Sequence, residues 1–270
     1  MKTNMTAGIV CLLTAFFVFA CATAAHGEWY RGNTHTHTVN SDGDGALDVA
    51  VRWYLEHGYQ FVALTDHDYR TPVEGLNAVY GAPGKFLVLA GVEVTDKIHL
   101  TAINVTRSVG PQGGETVVDM INRNARAIRD AGGLAIVCHP NYEWALSAEP
   151  LAAAEVTHFE LFNASPGVHN WGGSDSPSTE EMWDKVLSNG RVIYGVASDD
   201  THDFAGEFSA ARAHPGRGWI VVKAPELSPA ALLAAIERGD FYASTGVQLK
   251  SYELTDDEMR LELKPDTPYR

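Results

Sequence analysis

Cysteine is scarce in this chain. Three of its 270 residues are Cys, and two of these, Cys11 and Cys21, fall in the first two dozen residues. Beyond residue 24 only Cys138 is left, so no intramolecular disulfide can staple the body of the chain, and a disulfide-built miniprotein is excluded. Positive charge is also short: 20 Lys and Arg stand against 34 Asp and Glu, a formal net charge of -14. A field of that sign repels polyanions, so no duplex nucleic acid is expected as a partner. A small anionic substrate stays compatible, because a few metal ions dominate the charge inside one pocket. No apolar run after residue 24 is long enough to span a bilayer. The 25 Gly and 12 Pro are too few for a collagen-like or low-complexity chain, and 45% hydrophobic residues suffice for a sizeable core.

What is present begins with a leader. Lys2, the apolar run AGIVCLLTAFFVFA over 7–20 and the small-x-small triplet Ala22, Thr23, Ala24 read as a secretory signal peptide over residues 1–24. The expectation is a secreted or periplasmic protein with no stable membrane insertion after cleavage. Lipid attachment at Cys21 is the lesser alternative, because Phe19 stands where a small residue is usual.

From there strand-like and helix-like segments alternate. Runs rich in β-branched and aromatic residues occupy 29–34, 61–65, 86–94, 100–105, 134–138, 158–162, 192–197 and 219–222, near-continuously apolar as strands buried on both faces are. Amphipathic helical patterns fall at 47–57, 116–131, 149–155, 179–189 and 229–238, and four of them are followed by Gly. Repeated β-then-α units predict an α/β fold with a parallel sheet, closed or nearly closed into a barrel, with a doubly wound open sheet as the alternative. The main domain is expected over 25–240. From 241 to 270 the pattern turns hairpin-like and predicts the start of a small β appendage, truncated if its partner strands lie elsewhere.

Chemistry collects where the strands end. The first strand runs into His35, Thr36, His37 and the second into Asp66, His67, Asp68; later ones run into Glu93, His139, Asn163 and the segment Ser198 to His202. In a parallel barrel these ends share one rim, where barrel active sites are built. Residues two apart on a strand point the same way, so His35 and His37 can grip one cation. Each element alone has a bland alternative: a lone His-x-His as packing, Asp66 and Asp68 as turn formers, Glu93 as a paired core carboxylate. Their convergence on one rim favours a metal site of imidazoles and carboxylates, suited to zinc, manganese or iron.

The ordered series THTHTVNSDG (34–43), LTDHD (64–68), GVEVT (91–95), IVCHP (136–140) and ASDDTH (197–202) resembles the PHP (polymerase and histidinol phosphatase) superfamily of metal-dependent phosphoesterases, over about residues 27–222. The segments around Asn163, Trp183-Asp184 and RGDFYASTGV (238–247) look like its secreted members. The resemblance implies a distorted TIM-like barrel of seven β/α units and two or three divalent ions. His35, His37, Glu93 and Asp200 would hold one; Glu93, His99 and His139 a second; Asp42, His67 and His202 a third. Of the doubled Asp199-Asp200, Asp200 keeps the family's Asp-x-His spacing to His202. The implied activity is hydrolysis of a small phosphate mono- or diester by a hydroxide shared between ions. His202 and His169 are the candidate proton donors to the leaving group, and Arg70 and Lys97 the candidate cations for the phosphoryl oxygens. Arg212 lies outside every motif and is expected to be remote from the chemistry. A metal-dependent amidase, and a secreted binding module with a structural metal cluster, remain alternatives; the oligomeric state is not legible.

Overall fold

The computed structural model describes residues 27–264, so the expected leader over 1–24 lies outside the described residues. Strands β1 (Glu28–Asn33), β2 (Phe61–Leu64), β3 (Leu87–Val94), β4 (Leu100–Ile103), β5 (Leu134–Val137), β6 (His158–Asn163), β7 (Tyr194–Ser198), β8 (Trp219–Ala224) and β9 (Phe241–Ser244) form one nine-stranded sheet in the order β7-β6-β5-β4-β3-β2-β1-β8-β9. The edge strand β7 packs back against β8 and β9, which curls the sheet into a nearly closed barrel. Beyond the ends of β1 and β7 a parallel bridge between Thr36 and Thr201 draws the rim together.

Helices α1 (Leu47–Glu56), α2 (Glu74–Tyr80), α3 (Val117–Asp130), α4 (Ala148–Ala153), α5 (Thr179–Ser188) and α6 (Pro229–Arg238) complete the main body. Their ends are set by local chemistry: the Thr116 hydroxyl caps α3 at the Asp119 amide, and Ser178 with Glu181 forms a reciprocal capping box on α5. α6 opens with Ser228 and Pro229 and closes on Gly239 at φ 79°, a left-handed conformation that favours glycine. α2 buries no residue, which is why it leaves no apolar stripe in the sequence.

One buried cluster packs α3, α4 and α5 on the sheet from β3 to β6, and another packs α1 beside β2, β3 and β8. A third, including Phe61, Leu89, Ile136, Val196 and Ile220, fills the barrel interior, and Leu232 and Ile236 of α6 plug the end away from the rim.

The expected all-parallel order is corrected in two places. β4 runs antiparallel to both β3 and β5, because residues 95–99 are too few for a crossover and must make a tight return. That return places His99, at the beginning of β4, on the same rim as the ends of the parallel strands. β8 is antiparallel to β1, so the whole connection from Asp199 to Gly218 starts and finishes at the rim. β9 joins the main sheet beside β8, so residues 241–244 belong to the barrel body; the separate two-stranded sheet consists of β10 (Leu249–Leu254) and β11 (Met259–Leu263).

Candidate metal centre

The floor of the rim is set by four side chains from three strands. Nε2 of His35 and Nε2 of His37 stand 3.1 Å apart. Each faces Glu93 Oε2, at 3.2 and 3.1 Å, and Asp200 Oδ1, at 3.1 and 3.2 Å. In a tetrahedral site with bonds of about 2.0 Å, ligand atoms stand about 3.3 Å apart, so these five separations are those of one coordination shell. Protonation states support the same reading. The His35 Nδ1 lies 2.8 Å from Glu160 Oε1, so the ring donates there; in its neutral form it would aim an Nε2 lone pair at two carboxylate oxygens. That arrangement is repulsive unless a cation stands between them. Burial opposes charging these rings, yet Asp200, Glu93 and Glu160 raise the His35 pKa well above the imidazole range, and Asp200 and Glu93 raise that of His37 to about 9. Burial would likewise raise Glu93 and Asp200, but the surrounding imidazoles hold both far below it. Asp200 Oδ1 is buried without a hydrogen-bond partner. The donor set fits a divalent cation.

Two further groups share this floor. Glu93 Oε1 approaches His99 Nδ1 at 2.8 Å and His139 Nε2 at 3.2 Å, while His67 Nδ1 stands 3.2 Å from Glu93 Oε2. Nearer solvent, Asp42 meets His67 Nε2 at 3.5 Å and His202 Nε2 at 3.4 Å. Hydrogen bonds from His202 and His67 hold the Asp42 carboxyl far below the usual range. His37 touches both sets, its Nδ1 lying 3.5 Å from Asp42. All nine expected ligands are therefore brought together, from fully buried His35 and His37 to half-exposed Asp42.

Of the residues that hold these ligands, Glu160 was not singled out in the sequence, and Asp66, Asn163 and Asp199 were named there without this role. Glu160 is fully buried: Oε1 receives Ser198 Oγ at 2.6 Å besides His35, and Oε2 receives the His139 amide and Asn163 Nδ2, each at 2.7 Å. One carboxylate thus orients ligands from β1 and the β5 end. Asp66 binds the Thr38 amide and the hydroxyls of Thr38, Ser41 and Thr71, which fixes the segment carrying His37 and Asp42. Asp199 turns away from the cluster to Tyr54 and to the amides of Gly216, Arg217 and Gly218, leaving Asp200 to face the imidazoles. Asp200 and His139 have positive φ, 48° and 20°, a backbone strain tolerated where the surroundings over-determine the conformation.

A two-domain protein of Bacteroides vulgatus containing a predicted PHP-like metal-dependent phosphoesterase superposes on 90% of this chain and 77% of its own, with TM-score 0.59 and 16% identity. The chain shares the fold of that protein. The lesion-specific endonuclease EndoQ of Pyrococcus furiosus superposes at TM-score 0.48 and 13% identity, covering 80% of this chain and 58% of its own. PsfC of Pseudomonas syringae gives TM-score 0.48 and 10% identity, covering 77% and 88%. No protein-family model and no curated protein matches the sequence.

In this barrel the metal-type cluster opens into a cleft of about 390 Å³, walled by Tyr142, Ser165, Val168 and Arg212. The expected oxygen-binding cations do not reach it. Arg70 turns to Glu74 and the Val105 carbonyl on another face, and Lys97 is exposed beside the cleft without lining it. His169 also stands outside, stacked on Trp144 at 4.4 Å. Arg212, expected to be remote, is the cation on the cleft wall. Asp203 holds it at 2.6 Å and Asp44 at 3.2 Å. Its arrival follows from the antiparallel β8, which keeps the long connection on the rim.

Proposed function

We propose that this protein is a metal-dependent phosphoesterase acting on a small phosphate mono- or diester. The observation that carries the reading is the set of four donor atoms on His35, His37, Glu93 and Asp200 at one coordination shell's spacing, beneath an open cleft. His35, His37, Glu93 and Asp200 would hold one ion, Glu93 with His99 and His139 a second, and Asp42, His67 and His202 a third, drawn from zinc, manganese or iron. Bound there, such ions activate water near neutral pH and neutralise phosphoryl oxygens. The chain's own contribution is positional. Glu160 fixes the His35 ring, Asp66 fixes the loop bearing His37 and Asp42, and Arg212, whose Nε and Nη2 are held by Asp203 and Asp44, keeps one Nη1 N–H for an oxygen not transferred. His202, partly exposed at the mouth, is the proton source for a leaving alkoxide when it is not ligating. The leader expected over residues 1–24 supports a periplasmic or extracellular location, and N-terminal sequencing near Ala25 checks that.

The test is elemental analysis of purified protein followed by phosphate release from phosphomonoesters and diesters, with amides assayed in parallel. The expected result is bound divalent metal, phosphate release abolished by chelation and restored by manganese, zinc or iron. Turnover that persists after complete metal removal, or amide cleavage without phosphate release, would overturn the reading.

A further inference from the structure

A second depression of about 210 Å³ adjoins the cleft and shares Ser165 and Val168 with it. It is lined further by Phe162, Trp171 and Arg217. Trp171 is 81% exposed and meets Phe162 edge-on at 6.4 Å. Scattered exposed apolar residues are ordinary on protein surfaces, but here the exposed indole is carried by a braced segment. Asn170 bonds the Asn163 backbone in both directions, at 3.0 and 2.7 Å, and Asn141 Nδ2 donates to the carbonyls of His169 and Pro177. The bracing reaches the metal-type cluster. Asn163 receives the Ser165 amide on Oδ1 while its Nδ2 donates to Asp200 Oδ2 at 3.1 Å, so one side chain positions both a ligand and the shared wall.

Charge supplies the second observation. Arg212 is compensated by two carboxylates, whereas Arg217 has none among the described residues. Its Nη1 donates to the Arg212 carbonyl at 3.1 Å, and its guanidinium lies 5.9 Å from the Phe208 ring. An unpaired guanidinium beside an exposed indole, in a chain of net charge -14, is a site for a flat ring carrying negative charge. Continuity through Ser165 and Val168 puts such a ring next to the metal-type cleft.

We propose that this depression binds the alcohol half of the substrate, a ring lying on Trp171 and bearing an anionic substituent directed at Arg217. The proposal rests on the phosphoesterase reading and narrows it to ring-bearing, doubly anionic esters. Preorganisation makes the gain measurable, since the segment needs no ordering on binding.

Affinity for non-hydrolysable probes tests it without turnover. Methylphosphonate, benzylphosphonate and 4-(phosphonomethyl)benzoate share the phosphonate and add in turn a ring and a carboxylate. Calorimetry on the manganese-loaded protein should show each addition tightening binding by about tenfold, the size expected of one stacked ring or one charged hydrogen bond. Trp171→Ala should remove the gain from the ring, and Arg217→Gln only the gain from the carboxylate. Equal affinity for the three probes in the wild-type protein, or gains that survive both substitutions, would overturn the subsite. Should phosphate release fail on every ester while the stepwise gains hold, the phosphoesterase reading falls and the ring subsite stands.

Discussion

Two oxygens of Glu93 serve five imidazoles, Oε1 facing His99 and His139 and Oε2 facing His35, His37 and His67. Glu93→Gln keeps the volume and removes the charge, so it should empty at least two metal positions together and lower kcat by at least about 100-fold. His202→Ala removes one partly exposed ligand from the outer group, and elemental analysis should find the deep position still filled. Retention of all metal by the first variant with complete loss by the second would reverse the assignment of Glu93 as the shared ligand. Glu160→Gln acts one step back, on the ring orientation of His35, and should weaken metal affinity by about 10- to 100-fold in a chelator competition. Eight of the nine ligands were legible because they sit in short motifs that follow or end strands; His99 lies outside those motifs, at the start of β4, and rested only on its nearness to Glu93. Glu160 was not legible, since a carboxylate inside the apolar run HFELFN looks like a paired core residue, and Arg212 was not, because its place depends on a return of the chain that no local pattern encodes.

At the level of elements, close approach decides which strand carries the site where. Gly91 in β3 has Thr65 Cγ2 at 2.7 Å and the carbonyl oxygens of Ala102 and Leu64 at 2.8 Å from where a methyl group would stand. Gly91→Ala should therefore destabilise the fold by about 1–3 kcal/mol in denaturant titrations, and by pushing β3 it should also lower metal affinity at Glu93. At the other end of the barrel, His158 on β6 lies buried with Nε2 at 2.9 Å from the Ile236 carbonyl of α6, and burial pushes its pKa down to about 4. The unfolded chain takes up that proton near the usual imidazole value and the folded chain does not. Stability is thus complete above about pH 6.5 and declines as pH falls toward 4. Between pH 7 and pH 5 the loss from this residue is about 2 kcal/mol, and His158→Gln should remove that component from the pH dependence of unfolding. Eight of the nine barrel strands, five of the helices and the final hairpin were readable from periodicity, whereas β9 was assigned to the appendage. Strand direction was not, because an apolar run reads the same either way, and β4 and β8 owe their reversal to connection length and docking.

For the whole molecule, net charge and local chemistry pull in different directions. A chain of charge -14 gathers Asp42, Glu93, Glu160 and Asp200 around one cleft, a concentration of like charge that opposes folding when no cation is present. Stripping metal with a chelator should therefore lower the melting temperature as well as activity, and added manganese or zinc should restore both in scanning calorimetry. The geometry of the rim gives that effect a further consequence. The segments that follow β1 and β7 meet there at the Thr36 and Thr201 bridge, with the His37 amide donating to the Thr201 carbonyl at 2.9 Å. A cation gripped at once by His35, His37 and Asp200 is a cross-link tying off a loop of about 165 residues, a constraint that chain-entropy reckoning puts at about 5 kcal/mol for a covalent tie. It is the latch that the lone Cys138 cannot make. Amide exchange at His37 should accordingly be slow in the loaded protein and quicken when the latch is drawn.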